Sequence, residues 1–132
     1  MLWRSVLGLF GLFHLANGLF IVGDPEDWYR ATPGVGRTGP MNHHFLVDIG
    51  LAFVASGAGM LIGLRPGRVA ATLALAGATW PALHAVFHIW EWFTGGLPHD
   101  PHAATAEAVG VVLVGLSGFT LAASRARKEG AI

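Results

Sequence analysis

The chain has 132 residues, 53% hydrophobic and 12% charged, with no net formal charge and a mean hydropathy of +0.54. Soluble domains carry about a quarter charged residues and polar outer helix faces, so this composition excludes an ordinary soluble bundle. A net charge of zero gives no electrostatic grip on nucleic acid, and the absence of cysteine removes disulfides, thiolate metal sites and cysteine nucleophiles together.

The first apolar stretch runs over residues 2–22. It approaches the ~20 residues needed to cross ~30 Å of hydrocarbon. A signal peptide would also place a cation such as Arg4 before an apolar run, but His14 and Asn17 interrupt this one and no small-residue cleavage site follows. Asp24-Pro25 then supplies a capping carboxylate before a proline at a first helical position, which predicts a short interfacial helix over Pro25 to Ala31 carrying Trp28 and Tyr29. Pro33, Gly34, Gly36, Gly39 and Pro40 break it.

The second span is expected over 41–64 and the third over 69–93. Arg65-Pro66-Gly67 between them is a tight turn, which makes the two neighbours antiparallel. Asp100-Pro101 repeats the capping signal before a fourth span over 103–123. Arg4, Arg65, Arg68, Arg125, Arg127 and Lys128 flank the spans on one side, and the positive-inside rule makes that side cytoplasmic. The expected fold is therefore a single domain over 1–132, an all-α, up-down antiparallel four-helix transmembrane bundle with both termini inside. Gly8, Gly11, Gly18, Gly50, Gly57, Gly59, Gly110 and Gly115 let helix backbones approach in lipid.

Ionisable residues inside the spans carry what the sequence says about function. At ~1.5 Å of rise per residue, His14, Asp48, His84, His88 and Glu107 fall about 6 to 14 Å below the outer ends of their spans. His84, His88 and Glu91 follow i, i+4, i+7 spacing, His44 and Asp48 follow i, i+4, and His14 and Asn17 follow i, i+3. Charged groups facing lipid are costly, so these faces are expected to converge in one outer-leaflet pocket. Paired histidines with carboxylates from neighbouring helices suit a divalent metal ion, zinc, iron or manganese, with His14, Asp48, His84, His88 and Glu107 as ligands. Asn17, His44 and Glu91 would stand behind them and orient the ligands.

Other readings stand beside that one: a metal-free polar or proton-handling network, and a site for haem or another ligand. His14 alone reads more readily as an interhelical hydrogen-bonding residue than as a ligand. His43, His99 and His102 sit in or near outer loops, where water satisfies them, and Glu91 lies near a helix end. Trp80, Trp90, Trp92 and Phe93 form an interfacial belt or wall off the pocket. Pro81, one turn before His84, predicts a kink beside the site.

The run Arg4, Gly8, Phe10, Phe13, His14, Gly18 resembles the opening helix of DoxX-like membrane proteins. The run His44-Phe45-Leu46-Val47-Asp48-Ile49-Gly50, after Thr38-Gly39-Pro40, resembles a motif in small bacterial membrane proteins of that kind. The lysine that often follows the first-helix glycine has no counterpart here. The resemblance implies a multi-pass protein of the bacterial inner (plasma) membrane and, in some relatives, association with quinone-linked sulfur oxidation.

No catalytic nucleophile, phosphate-binding loop or dinucleotide fingerprint is visible, so the chain does not declare itself an enzyme. The leading expectation is a membrane protein holding a metal ion or small polar ligand in the outer-leaflet pocket. Its alternative is a non-catalytic accessory subunit with a metal-free polar network. The partners implied are the lipid bilayer and either other membrane subunits or further copies of the chain.

Overall fold

The computed structural model describes residues 2–132. Four helices are long and apolar enough to cross a membrane: Trp3–Gly23, His43–Ile62, Arg68–Gly95 and Pro101–Lys128. We label the first α1 (Leu2–Gly23), the short helix after it α2 (Pro25–Ala31), and the next two α3 (His43–Ile62) and α4 (Arg68–Gly95). The last span is composite: α5 (Pro101–Thr105), a π-helical stretch Ala106–Leu113 and α6 (Val114–Lys128). Among the described residues no β-strand occurs.

Local chemistry sets the boundaries. Asp24 accepts a hydrogen bond from the Asp27 backbone N–H at 3.0 Å, and Asp100 accepts one from the His102 N–H at 3.0 Å, so both Asp-Pro signals cap helices as expected. Asn42 caps α3 through the Phe45 N–H at 3.1 Å, which starts that helix two residues later than its apolar run. The last span continues to Lys128 rather than ending at 123, with Arg125, Arg127 and Lys128 in its final turn, where cations favour the helix C-terminus. Arg30, on α2, lies beside Asp27 and Glu26, whose carboxylates hold its guanidinium above its ordinary pKa, the Asp27 hydrogen bond first.

Small residues position the helices. Gly8 lies against Leu64, Gly11 against Met60 and Leu61, and Gly18 against Gly50 and Val54, so early α1 meets late α3 and late α1 meets early α3. A Cβ on Gly57 would stand 2.5 Å from the Leu15 N and 2.6 Å from the Gly11 carbonyl oxygen, so that contact is backbone on backbone. The face of α4 toward its neighbours is mostly alanine, with Ala71, Ala74, Ala78 and Ala85 buried. On the last span, a Cβ on Gly115 would lie 2.5 Å from the Pro81 carbonyl oxygen. Dispersion between closely approaching backbones, not the hydrophobic effect, is what holds helices together in lipid. Leu9, Leu12, Leu19, Leu83, Val86 and Leu113 are correspondingly exposed, as lipid-facing residues are.

The basic end of the bundle is tied by Arg125, which is buried, donates to the Arg65 carbonyl and lies 5.1 Å from the centre of the Trp3 ring. One guanidinium thereby joins α6, the turn between α3 and α4, and α1. At the other end Trp28 donates to the Asn17 side chain at 2.9 Å and Tyr29 to the Gly39 carbonyl at 2.5 Å, which docks α2 onto α1 and the loop after it onto α2. The apolar interior has two parts. Leu7, Met60, Ala74, Ala78 and Ala122 form one, and Ile21, Leu46 and Phe53 form the other, with Trp80 packed against the second.

Candidate functional site

The candidate site grows out of that second apolar cluster. His14 on α1 is 2% exposed, and its ring stacks on Phe53 of α3 with centroids 5.5 Å apart. Phe53 in turn meets Trp80 edge to face at 4.7 Å and His84 at 6.3 Å. Trp80 and His84, one turn apart on α4, stack at 5.1 Å with their planes 12° apart. His84 meets His88 edge to face at 4.7 Å. The i, i+4 spacing thus places imidazoles one above the other along α4, with Trp80 extending the row inward.

The row ends on carboxylates. His88 Nδ1 lies 3.4 Å from Glu107 Oε2 of the last span and 3.7 Å from Glu91 Oε2 on its own helix. Trp92 Nε1 donates to the same Glu107 oxygen at 2.8 Å. Glu107 belongs to the π-helical stretch, and such departures from α geometry recur at functional sites. The loop after α2 reaches over it: a Cβ on Gly34, whose φ is +90°, would lie 3.9 Å from Glu107 Oε1 and 3.6 Å from Arg37 Nη2. Behind the row, Pro81 lacks the N–H that would bind the Gly77 carbonyl and turns its own carbonyl toward Gly115.

His14, His84, His88, Glu91 and Glu107 are therefore one connected cluster drawn from α1, α4 and the last span. Asn17 is engaged elsewhere, by Trp28. Asp48 pairs with His44 at 3.4 Å, and both side chains are open, 59% and 91% exposed. The structure does not bring this pair into the cluster; α3 contributes Phe53 instead. The reason is rotational: Gly50, Phe53 and Gly57 turn toward the bundle, which leaves 44 and 48 on the opposite face. His99, in the loop before the last span, and His102, on α5, are both exposed. Trp90 and Phe93 face outward, whereas Trp80 and Trp92 line the cluster.

The cluster's polarity is incompletely met from within. Both ring nitrogens of His14 are buried without a hydrogen-bond partner; His88 Nδ1 is buried too, with the Glu107 carboxylate at ion-pair distance but not in hydrogen-bonding geometry. A neutral imidazole presents one donor and one acceptor, so this row offers both kinds of group. Among the described residues, no three His, Asp or Glu side chains are arranged to hold a metal ion. Two open grooves of about 450 and 460 Å³ run along the outside of the last span; one lies at its basic end, and the other has Trp92 at its edge.

Phe53 and Trp92 are the site residues that the sequence does not single out for these roles. Trp80 carries a usable signal, standing four residues before His84 on the same helix face. Nothing in the sequence marks the π-helical stretch. Comparison with known proteins returns no matching family model, curated protein or solved structure.

Proposed function

We propose that this chain is a multi-pass membrane protein that binds a small, hydrogen-bonding polar ligand at the cluster of His14, His84, His88 and Glu107. In this reading the spans run up and down, both termini are cytoplasmic, and the site lies in the outer leaflet. Six basic residues at one end of the spans support that orientation. The DoxX-like run from Arg4 to Gly18 supports a place in a bacterial plasma membrane.

One observation carries the reading: both ring nitrogens of the buried His14 have no hydrogen-bond partner within a membrane-spanning bundle. An unpaired polar group in an apolar medium costs several kcal/mol, roughly 2 to 7. Intramembrane ionisable residues mark functional sites by default. A compact ligand with both a donor and an acceptor would satisfy the His14 imidazole, and the Phe53 and Trp80 rings would flank it. Zinc, iron or manganese is the other ligand that this donor set suits, and it would require His84, His88 and Glu107 to draw together.

The test is native mass spectrometry and elemental analysis of protein purified without chelators or metal-affinity tags. The expected result is one small molecule per chain, lost in His84→Ala and His88→Ala and kept in His99→Ala and His102→Ala. A stoichiometric metal with the same pattern of loss would move the assignment to a metal centre. Protein that binds neither would overturn the ligand reading and favour an accessory subunit.

A further inference from the structure

The outward face of α3 carries a feature that the ligand site does not use. This helix has 20 residues, about 30 Å at ~1.5 Å per residue, so it only just matches the hydrocarbon core and has no turn to spare outside it. Its inner face is Leu46, Gly50, Phe53, Ser56, Gly57 and Met60, all buried. Opposite them run His44, Asp48, Leu51, Ala55 and Ile62, all exposed and all on one helical stripe. An imidazole–carboxylate pair therefore stands uncovered on the outside of a span, with Asp48 about 7.5 Å below the start of the helix.

Lipid cannot cover such a pair at low cost, and ionisable residues in spans nearly always face protein or water. The contact within the helix satisfies only part of it. His44 Nε2 faces Asp48 Oδ2 at 3.4 Å, and each side chain has a further polar atom pointing elsewhere. Whatever covers the stripe must bring an acceptor one turn below the imidazole and a donor one turn above the carboxylate, the offset that the two residues already span within the helix. The same stripe on another copy, turned about a two-fold axis, brings both.

We infer that the outward face of α3 packs against a second copy of this chain in the membrane, His44 of each copy pairing with Asp48 of the other. The two pairs close into a ring of alternating imidazole and carboxylate around the axis, an isologous contact in which one patch complements itself. The offset between His44 and Asp48 along the helix is about 6 Å, which these side chains already span within one chain. Below the ring, Ala55 and Ala58 are small enough for the two helices to approach closely. The inference uses the membrane setting alone and does not depend on the ligand site.

The chain has no cysteine, so single-cysteine variants report without background. Oxidative crosslinking in native membranes is expected to convert Ala55→Cys largely to a covalent dimer, and to leave Leu83→Cys, on an exposed face of α4, mostly monomeric. Adding Asp48→Leu to Ala55→Cys is expected to lower the dimer fraction roughly eightfold, the scale of the two symmetric interhelical polar contacts it removes in lipid. Exchanging the pair, His44→Asp with Asp48→His, keeps the ring and is expected to restore it. The inference is overturned if Ala55→Cys crosslinks no better than Leu83→Cys, or if its partner is a different protein. It is overturned equally if the exchanged pair behaves like Asp48→Leu.

Discussion

Gly57→Ala probes the contact on which the bundle most visibly depends. The added methyl would stand 2.5 Å from the Leu15 N and 2.6 Å from the Gly11 carbonyl oxygen, where ordinary contact begins at 3.4 Å. Both neighbours are backbone, so no side chain can swing away. Relief requires α1 and α3 to part locally by about 0.9 Å, the difference between 3.4 and 2.5 Å. A gap of 0.5 to 1 Å forfeits about a quarter to a half of each dispersion contact along the seam. Overpacking of this kind costs about 1 to 3 kcal/mol, against which alanine's better helix propensity returns up to about 1 kcal/mol. Gly23→Ala, with nothing within 4 Å of its Cβ, carries the propensity change without the clash and is the proper reference. Reversible unfolding in mixed micelles should place Gly57→Ala below Gly23→Ala by about 1 to 3 kcal/mol. If the two variants unfold together, the close approach of their backbones is not what holds α1 and α3 together.

Two further outcomes follow from the same structure. Reporter fusions at Gly67 and Gly36 should give opposite localisation signals, since the turn after α3 and the loop after α2 lie at opposite ends of the spans; matching signals would rule out the topology. Asn42→Ala removes the cap that meets the Phe45 N–H at 3.1 Å and should cost about 0.5 to 2 kcal/mol. Asn42→Asp should retain most of that stability in the same unfolding measurement.

The spans are legible in the sequence because lipid imposes a length and a polarity that composition alone reveals, and the two Asp-Pro caps are legible because their chemistry is local. The face of α4 is also legible: three residues at i, i+4 and i+7 can only lie together, and His84, His88 and Glu91 do. The orientation of α3 is not. His44 and Asp48 form as good an i, i+4 pair as His84 and His88, and the sequence offers no way to rank them. The glycines rank them: Gly50 and Gly57 are pressed against α1, and their demand for close approach sets the rotation of the helix. Polarity favours turning the His44 and Asp48 face inward, and backbone packing overrides it. Trp92 reads from the sequence as belt or pocket wall, but its hydrogen bond to Glu107 is not legible because it spans fifteen residues and a change of helix.

The wide turns of Ala106–Leu113 also bear on how the last span tolerates change. A regular helix advances about 100° per residue, so removing one residue anywhere along it would rotate everything beyond. Here Glu107 must meet His88 near one end of the segment while Gly115 must meet Pro81 just past the other. A stretch with i→i+5 bonding can lose a residue by tightening to ordinary pitch, and so works as a slip joint between two fixed points. A deletion there would be absorbed, leaving Glu107 on His88 and the Gly115 seam in register, whereas the same change below Gly115 would leave Glu107 in place and displace the Arg125 anchor.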